Sequence, residues 1–152
     1  MAKLTVKTRF LVISDTQGNE DFRRPPDPAD VGIHCGDLTD ETKTNEFRAT
    51  LRFLKRLDAP LKLVIAGNRD FTLDTPVFER KIAEAGPLER NPYAPSTNDS
   101  GFQYLPYLGD YWHIDPSADI VITHGPPQGI LDMSFYKERL GCPGLFQEIA
   151  HP

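Results

Sequence analysis

Four short apolar runs recur along the chain, and each ends in a small polar tip. Phe10-Leu11-Val12-Ile13 leads to Ser14-Asp15-Thr16-Gln17-Gly18, and Val31-Gly32-Ile33-His34-Cys35 leads to Gly36-Asp37-Leu38-Thr39-Asp40. Leu61-Lys62-Leu63-Val64-Ile65-Ala66 leads to Gly67-Asn68-Arg69-Asp70, and Asp119-Ile120-Val121-Ile122-Thr123 leads to His124-Gly125-Pro126-Pro127. Apolar runs of this length bounded by turn residues read as buried strands. The first strand is expected from Arg9 to Asp15. Carboxyl ends of strands are where open α/β sheets bind ligands, so four tips carrying Asp, Asp, Asn and His are expected to form one polar site.

Between the second and third runs the period changes to that of a helix. Thr44 is the expected N-cap, Glu46 suits the positive end of the helix dipole, and Phe47, Leu51, Leu54 and Leu57 form the apolar stripe. Ala59-Pro60 ends it, since the residue before proline is pushed out of the helical region. Thr75-Pro76 opens a second helix with Val77, Phe78 and Ile82 inward, closed by Gly86-Pro87. A third, short helix is expected from Gly144 to Ala150 with Leu145, Phe146 and Ile149 inward. Strand, helix, strand in this order gives a parallel crossover and places the chain in the α/β class. The stretch 91–110 turns to Pro, Ser, Asn, Gly and Tyr without period, and is expected to form a lid or substrate wall. Its aromatics Tyr93, Phe102, Tyr104 and Tyr107, with Tyr111 and Trp112, are read first as packing groups and second as a stacking surface for a base or aryl group.

Composition narrows the function. A chain of 152 residues is the usual size of one domain, here 1–152, and can bury a core. A net charge of −5, with 17 scattered Lys and Arg, argues against a nucleic-acid groove. A single phosphate can still bind where a metal ion supplies positive charge. No apolar run reaches membrane-spanning length and the first residues lack a signal-peptide pattern, so no membrane contact and a cytoplasmic location are expected. Cys35 and Cys142, far apart and outside any Cys-x-x-Cys spacing, are expected to be small core fillers. Nothing in the sequence speaks to oligomeric state.

The chemistry comes from the tips. Asp15, Asp37, Asn68 and His124 offer oxygen and imidazole ligands that suit divalent Mn, Fe, Zn or Mg without a thiolate. A carboxylate such as Asp37 can bridge two ions about 3.5–4 Å apart, the spacing that serves an in-line phosphoryl displacement. Metal-assisted phosphoester hydrolysis is the expected reaction class. Taken singly, Asp15, Asp37 and Asn68 are ordinary turn residues and His124 an ordinary core histidine; four in order at four tips outweigh that reading. His34 is expected to be structural, His113 to pack a loop, and His151 to lie at a frayed end.

The tips also carry a resemblance. Asp15-Thr16-Gln17-Gly18, Gly36-Asp37-Leu38-Thr39-Asp40, Gly67-Asn68-Arg69-Asp70 and Thr123-His124-Gly125-Pro126-Pro127 are similar to the ordered motifs of calcineurin-like metallophosphoesterases. These are Asp-x-His, Gly-Asp, Gly-Asn-His-Asp/Glu and a later His; the wording around His34–Thr39 and Ile122–Pro127 resembles most the metallophosphoesterase-domain-containing (MPPED-type) branch. The resemblance implies a two-sheet α/β sandwich flanked by helices, incomplete at its C-terminal end, and hydrolysis of a small phosphorylated substrate by a metal-bound hydroxide. A phosphomonoester, a phosphodiester or a nucleotide would serve.

Matched residue by residue, the resemblance puts one ion on Asp15 and Asp37 with Gln17, and a second on Asp37, Asn68 and His124. Asn68, Arg69 and His124 join Asp37 as the catalytic set. Three departures follow. Gln17 replaces a histidine ligand with a neutral amide. Arg69 replaces a histidine and cannot act as a general acid, leaving it as a phosphate clamp or as an ion-pair partner of Asp70. The closing Gly-His-x-His is absent, which reads as truncation. Counting ligands, one ion is expected rather than two, at the second position. The alternative function is a catalytically degenerate module that binds metal or phosphate without turnover.

Overall fold

The structure, a computed structural model, describes residues 5–21, 27–73, 75–85 and 114–150. Strands β1 (Phe10–Ile13), β2 (Val31–His34) and β3 (Leu61–Val64) form one parallel sheet in the order β1-β2-β3. Helix α1 (Thr44–Arg56) makes the crossover from β2 to β3. A 3-10 turn (Phe71–Leu73) then leads into α2 (Thr75–Ala85), and α3 (Pro143–Ala150) ends the described chain. The register aligns Val12, Ile33 and Leu63 across the sheet, and likewise Ile13, His34 and Val64.

Period-2 alternation sends Leu11 and Ile13 of β1 and Val64 of β3 toward α1. There Ile13, Leu38, Phe53, Leu54 and Leu57 form the buried core, with Leu11, Phe47, Leu51, Val64 and Leu73 packed on it. Each such side chain taken out of water contributes about 1.5–3 kcal/mol before entropy is counted. The alternate residues Phe10, Val12, Leu61 and Leu63 lie on the other face and are exposed among the described residues. That face would meet the second sheet of a sandwich, none of whose strands falls among the described residues.

Several sequence expectations shift. The first strand is shorter than Arg9–Asp15 because Asp15 turns into the left-handed region at φ 57°. The N-cap of α1 is Lys43, one residue earlier than expected, and the Glu46 carboxylate accepts the Lys43 and Glu41 N–H groups at 3.1 and 3.0 Å. Phe78 and Ile82 of α2 are each 37% exposed, and Phe146 and Ile149 of α3 are exposed while Leu145 is buried. The fourth apolar run, 119–123, is not a strand: it joins no ladder among the described residues, and Ile120 and Val121 stay exposed. An apolar run becomes a strand only where a neighbour satisfies its backbone. Cys35 and Cys142 are half-buried free thiols rather than core fillers. The loop 91–110, the aromatics Tyr93 to Trp112, His113 and His151 lie outside the described residues. No described helix is long and apolar enough to cross a membrane.

A buried polar chain crosses the core beneath the tips. The fully buried His34 accepts the Gly36 N–H on Nδ1 at 3.2 Å, which places its proton on Nε2, 3.0 Å from Thr16 Oγ1. Thr16 Oγ1 lies 3.5 Å from Thr50 Oγ1, and Thr50 donates to the Leu38 carbonyl at 2.6 Å. Every member is paired, so the chain ties the first two tips to α1. As expected, His34 is structural in its contacts.

Burial pushes the His34 pKa down to about 4, against the opposing pull of Asp70 and Asp15. Above pH 6.5 the imidazole is neutral folded and unfolded alike; below it the unfolded chain takes up the proton first. Stability therefore falls as pH drops from about 6.5 to 4 and this contribution is flat below that, for a total of about 3 kcal/mol. His34→Gln, which keeps a donor for Thr16, is expected to flatten the difference between urea midpoints at pH 7 and pH 4.5. An equal acid loss in wild type and variant would contradict this.

Candidate metal centre

The first three tips are locked together by backbone hydrogen bonds that extend the sheet beyond its strands. Cys35 N–H donates to Ile13 O at 2.8 Å, Asp15 N–H to Gly36 O at 3.0 Å, and Gln17 N–H to Asp37 O at 3.1 Å. Ile65 N–H donates to His34 O at 3.0 Å. Asp15, Gln17 and Asp37 all take positive φ, of 57°, 50° and 54°. Asp tolerates this region better than most side chains, yet it still costs roughly 1–3 kcal/mol per residue and persists only where the surroundings enforce it.

The backbone bonds between tips enforce it at Asp15 and Gln17, and Asp70 secures the second tip, which carries Asp37. The Asp70 carboxylate is fully buried and receives four donors. Oδ2 accepts the N–H groups of Leu38 at 2.9 Å and Gly67 at 2.8 Å, and Oδ1 accepts the Thr39 N–H at 2.9 Å and Thr39 Oγ1–H at 2.7 Å. The second and third tips are thereby closed onto each other. Gly67 sits so near Asp37 that a Cβ would lie 2.1 Å from Asp37 Oδ1, and a Cβ on Gly36 would lie 2.7 Å from both Gly67 N and His124 Nδ1. Both positions therefore require glycine.

Against this frame the side chains converge. One ligand atom each from Asp15, Asp37 and His124 lies within 4.8 Å of the others. His124 Nδ1 lies 2.7 Å from the Cys35 carbonyl, so in the neutral ring it is Nδ1 that carries the proton and Nε2 that presents a lone pair. That lone pair faces Asn68 Oδ1 at 3.0 Å and Asp37 Oδ1 at 3.4 Å. Three acceptors turned toward one another without a proton between them are stabilised by a cation. The donor set of two carboxylates, an amide oxygen and an imidazole fits a divalent ion of the Mn, Fe, Zn or Mg type. The His124–carbonyl bond is the outer contact that fixes tautomer and ring orientation in such sites. Burial and Asp15 push the Cys35 thiol up, so it offers no thiolate.

The structure thus brings Asp15, Asp37, Asn68 and His124 together although 119–123 is no strand. Gln17 is exposed beside them, joined to the tip through its backbone. Arg69 does not pair with Asp70, which is enclosed. Its Nη1 pairs with Asp40, and its Nε lies 3.7 Å from Asp37 Oδ2. Asp70 and the Cys35 carbonyl escaped sequence reasoning as parts of the site. Asp70 was visible as the last residue of Gly67-Asn68-Arg69-Asp70, whereas nothing local marks a carbonyl 89 residues from the ring it orients.

A family model described as calcineurin-like phosphoesterase matches residues 8–148. The chain belongs to this family. Its fold is accordingly the calcineurin-like α/β fold, of which the three-stranded parallel sheet and its helices are a part. Among curated relatives, metallophosphoesterase domain-containing protein 1 of Homo sapiens is 28% identical, aligned to 93% of this chain and 56% of its own length. A UPF0046 protein of Caenorhabditis elegans is 30% identical over 93% of this chain and 58% of its own. The "Probable rhamnogalacturonate lyase C" of Emericella nidulans is 27% identical over 93% of this chain but only 15% of its own length. The chain spans about half the length of the first relatives it matches, and the likeness to metallophosphoesterase domain-containing protein 1 supports the metallophosphoesterase-domain-containing branch.

Replacing Gly67 by alanine is expected to displace Asp37 and lower the affinity for Mn2+ by about 100-fold, the upper end of what disturbed outer contacts cost a metal site. Asp70→Ala leaves the buried Leu38 and Thr39 N–H groups and the partly buried Gly67 N–H unpaired and is expected to destabilise the fold by about 3 kcal/mol or more. Isothermal titration with Mn2+ checks the first and urea unfolding the second. A Gly67→Ala protein that binds as wild type does would show that the close approach of Gly67 does not position Asp37 for binding.

Proposed function

We propose that this protein is a metal-dependent phosphoesterase acting on a small phosphorylated substrate, with a divalent ion held by Asp15, Asp37, Asn68 and His124. The observation that carries the reading is the meeting of His124 Nε2, Asn68 Oδ1 and Asp37 Oδ1 with the imidazole proton tied up on Cys35 O. A bound ion supplies Lewis acidity, polarising a phosphoryl oxygen and acidifying water beside it. The chain's residues do the rest. Asp37 and Asp15 bring negative charge that retains the ion, His124 and Asn68 set its position, and the half-exposed Arg69 offers a guanidinium that matches a phosphate by paired N–H bonds. The substrate is a phosphomonoester or phosphodiester, with nucleotides included in that class, and the reaction takes place in the cytoplasm.

A second reading, a module that holds metal or phosphate without turnover, is favoured by Arg69 itself. It occupies the place of a proton donor, and a guanidinium does not release its proton in a protein. Hydrolysis of an aryl phosphodiester and an aryl phosphomonoester with added Mn2+ separates the two. The expected result is Mn2+-dependent turnover that falls by ~100-fold or more in Asp37→Asn. Mn2+ binding without turnover, lost in Asp37→Asn, would leave the binding module; a wild type that binds neither Mn2+ nor inorganic phosphate would overturn both.

A further inference from the structure

The two oxygens of Asp37 face different partners. Oδ1 accepts the Arg69 backbone N–H at 3.0 Å and lies 3.4 Å from His124 Nε2, whereas Oδ2 lies 3.7 Å from Arg69 Nε. Arg69 reaches on through Nη1 to the Asp40 carboxylate and, at 3.3 Å, to the Asp40 carbonyl. One guanidinium is therefore stretched between the buried Asp37 and the exposed Asp40. We propose that Arg69 is a built-in cation that takes the electrostatic place of a second metal ion, so that the site holds one divalent ion and grips phosphate between that ion and the guanidinium. The inference rests on the proposed metal site and fixes its stoichiometry and its phosphate grip.

Three arguments carry it. Asp37 has little left for a second ion: Oδ1 already accepts the Arg69 N–H and faces His124, and Oδ2 faces a charge that is permanent and delocalised. Asp15, Asp37 and Asp40, the carboxylates that line the opening, carry three negative charges, which one guanidinium and one divalent ion match, while the charge of Asp70 is answered by its four donors; a second divalent ion would add positive charge beside a fixed one. The Arg69–Asp40 contact is exposed on both sides, with side-chain exposures of 45% and 48%, and pairs of this kind contribute little. A phosphate can displace Asp40 from the guanidinium at small cost. Among the described residues the contacts of Arg69 run through Nε and Nη1, and none of these residues engages Nη2.

The test uses the purified chain, Arg69→Gln and Arg69→Lys, with Mn2+ titrations by calorimetry and thermal melts in EDTA. Wild type is expected to bind one Mn2+, and Arg69→Lys to stay at one. Arg69→Gln is expected to bind Mn2+ on the order of tenfold more tightly or to gain a second site, because a nearby positive charge has gone and Oδ2 is released. In EDTA its Tm is expected to fall by about 2 °C or more, since Asp15, Asp37 and Asp40 then repel one another without a counter-charge. Two Mn2+ bound to wild type, or a Gln variant with unchanged Mn2+ binding, overturns the inference while the metal site stands. If wild type takes up no Mn2+, the metal reading fails; the resident-cation role is then decided by the EDTA melts, and an unchanged Tm overturns it.

Discussion

Asp70 is a carboxylate removed from water, and such a group persists only if its lone pairs are filled. Four donors from Leu38, Thr39 and Gly67 fill them. Because those donors belong to two different strand tips, satisfying one side chain also sets the distance between the tips. That distance puts Gly67 against Asp37, and Asp37 within reach of His124. Strain at Asp15, Gln17 and Asp37, all left-handed, is tolerable for the same reason: the backbone bonds linking the tips leave the chain no other path.

The buried chain from His34 through Thr16 and Thr50 works beneath this frame in a complementary way. Asp70 joins the second and third tips, whereas the His34 chain joins the first and second and anchors both to α1. His124 is then held by the Cys35 carbonyl, at the end of β2, so the fourth tip is positioned by the second rather than by a ladder of its own. Rigidity at the site thus comes from polar groups that are fully paired, while the apolar core beneath supplies the bulk of the driving force.

The departures at Gln17 and Arg69 from the motifs of related phosphoesterases act on charge more than on shape. Gln17 removes a basic ligand, and Arg69 adds a permanent positive charge beside Asp37. The paired contacts of that guanidinium with Asp37 and Asp40 make it part of the charge balance of the site as well as a candidate phosphate contact. The proposed metal centre, with two aspartates, an asparagine and a histidine as ligands and an arginine on its rim, differs in balance from one built with further histidines.

Much of this was legible in the residues themselves. An apolar run closed by a small polar tip is a local pattern, so β1, β2 and β3 and the polar groups on their tips could be read directly, as could α1 from its period and its proline stop. The fourth run, 119–123, had the same pattern and still formed no strand, because a strand is completed by a partner and no local signal says whether one is at hand. Arg69 and Asp70 make the same point at the scale of side chains. They are neighbours in the chain, yet Asp70 turns into the core to meet four donors and Arg69 turns out to meet Asp37 and Asp40. Residue types and their order determined which chemical groups the site would contain; hydrogen-bond partners drawn from distant segments, which only the folded chain brings within 3 Å or so, decided which group faces which.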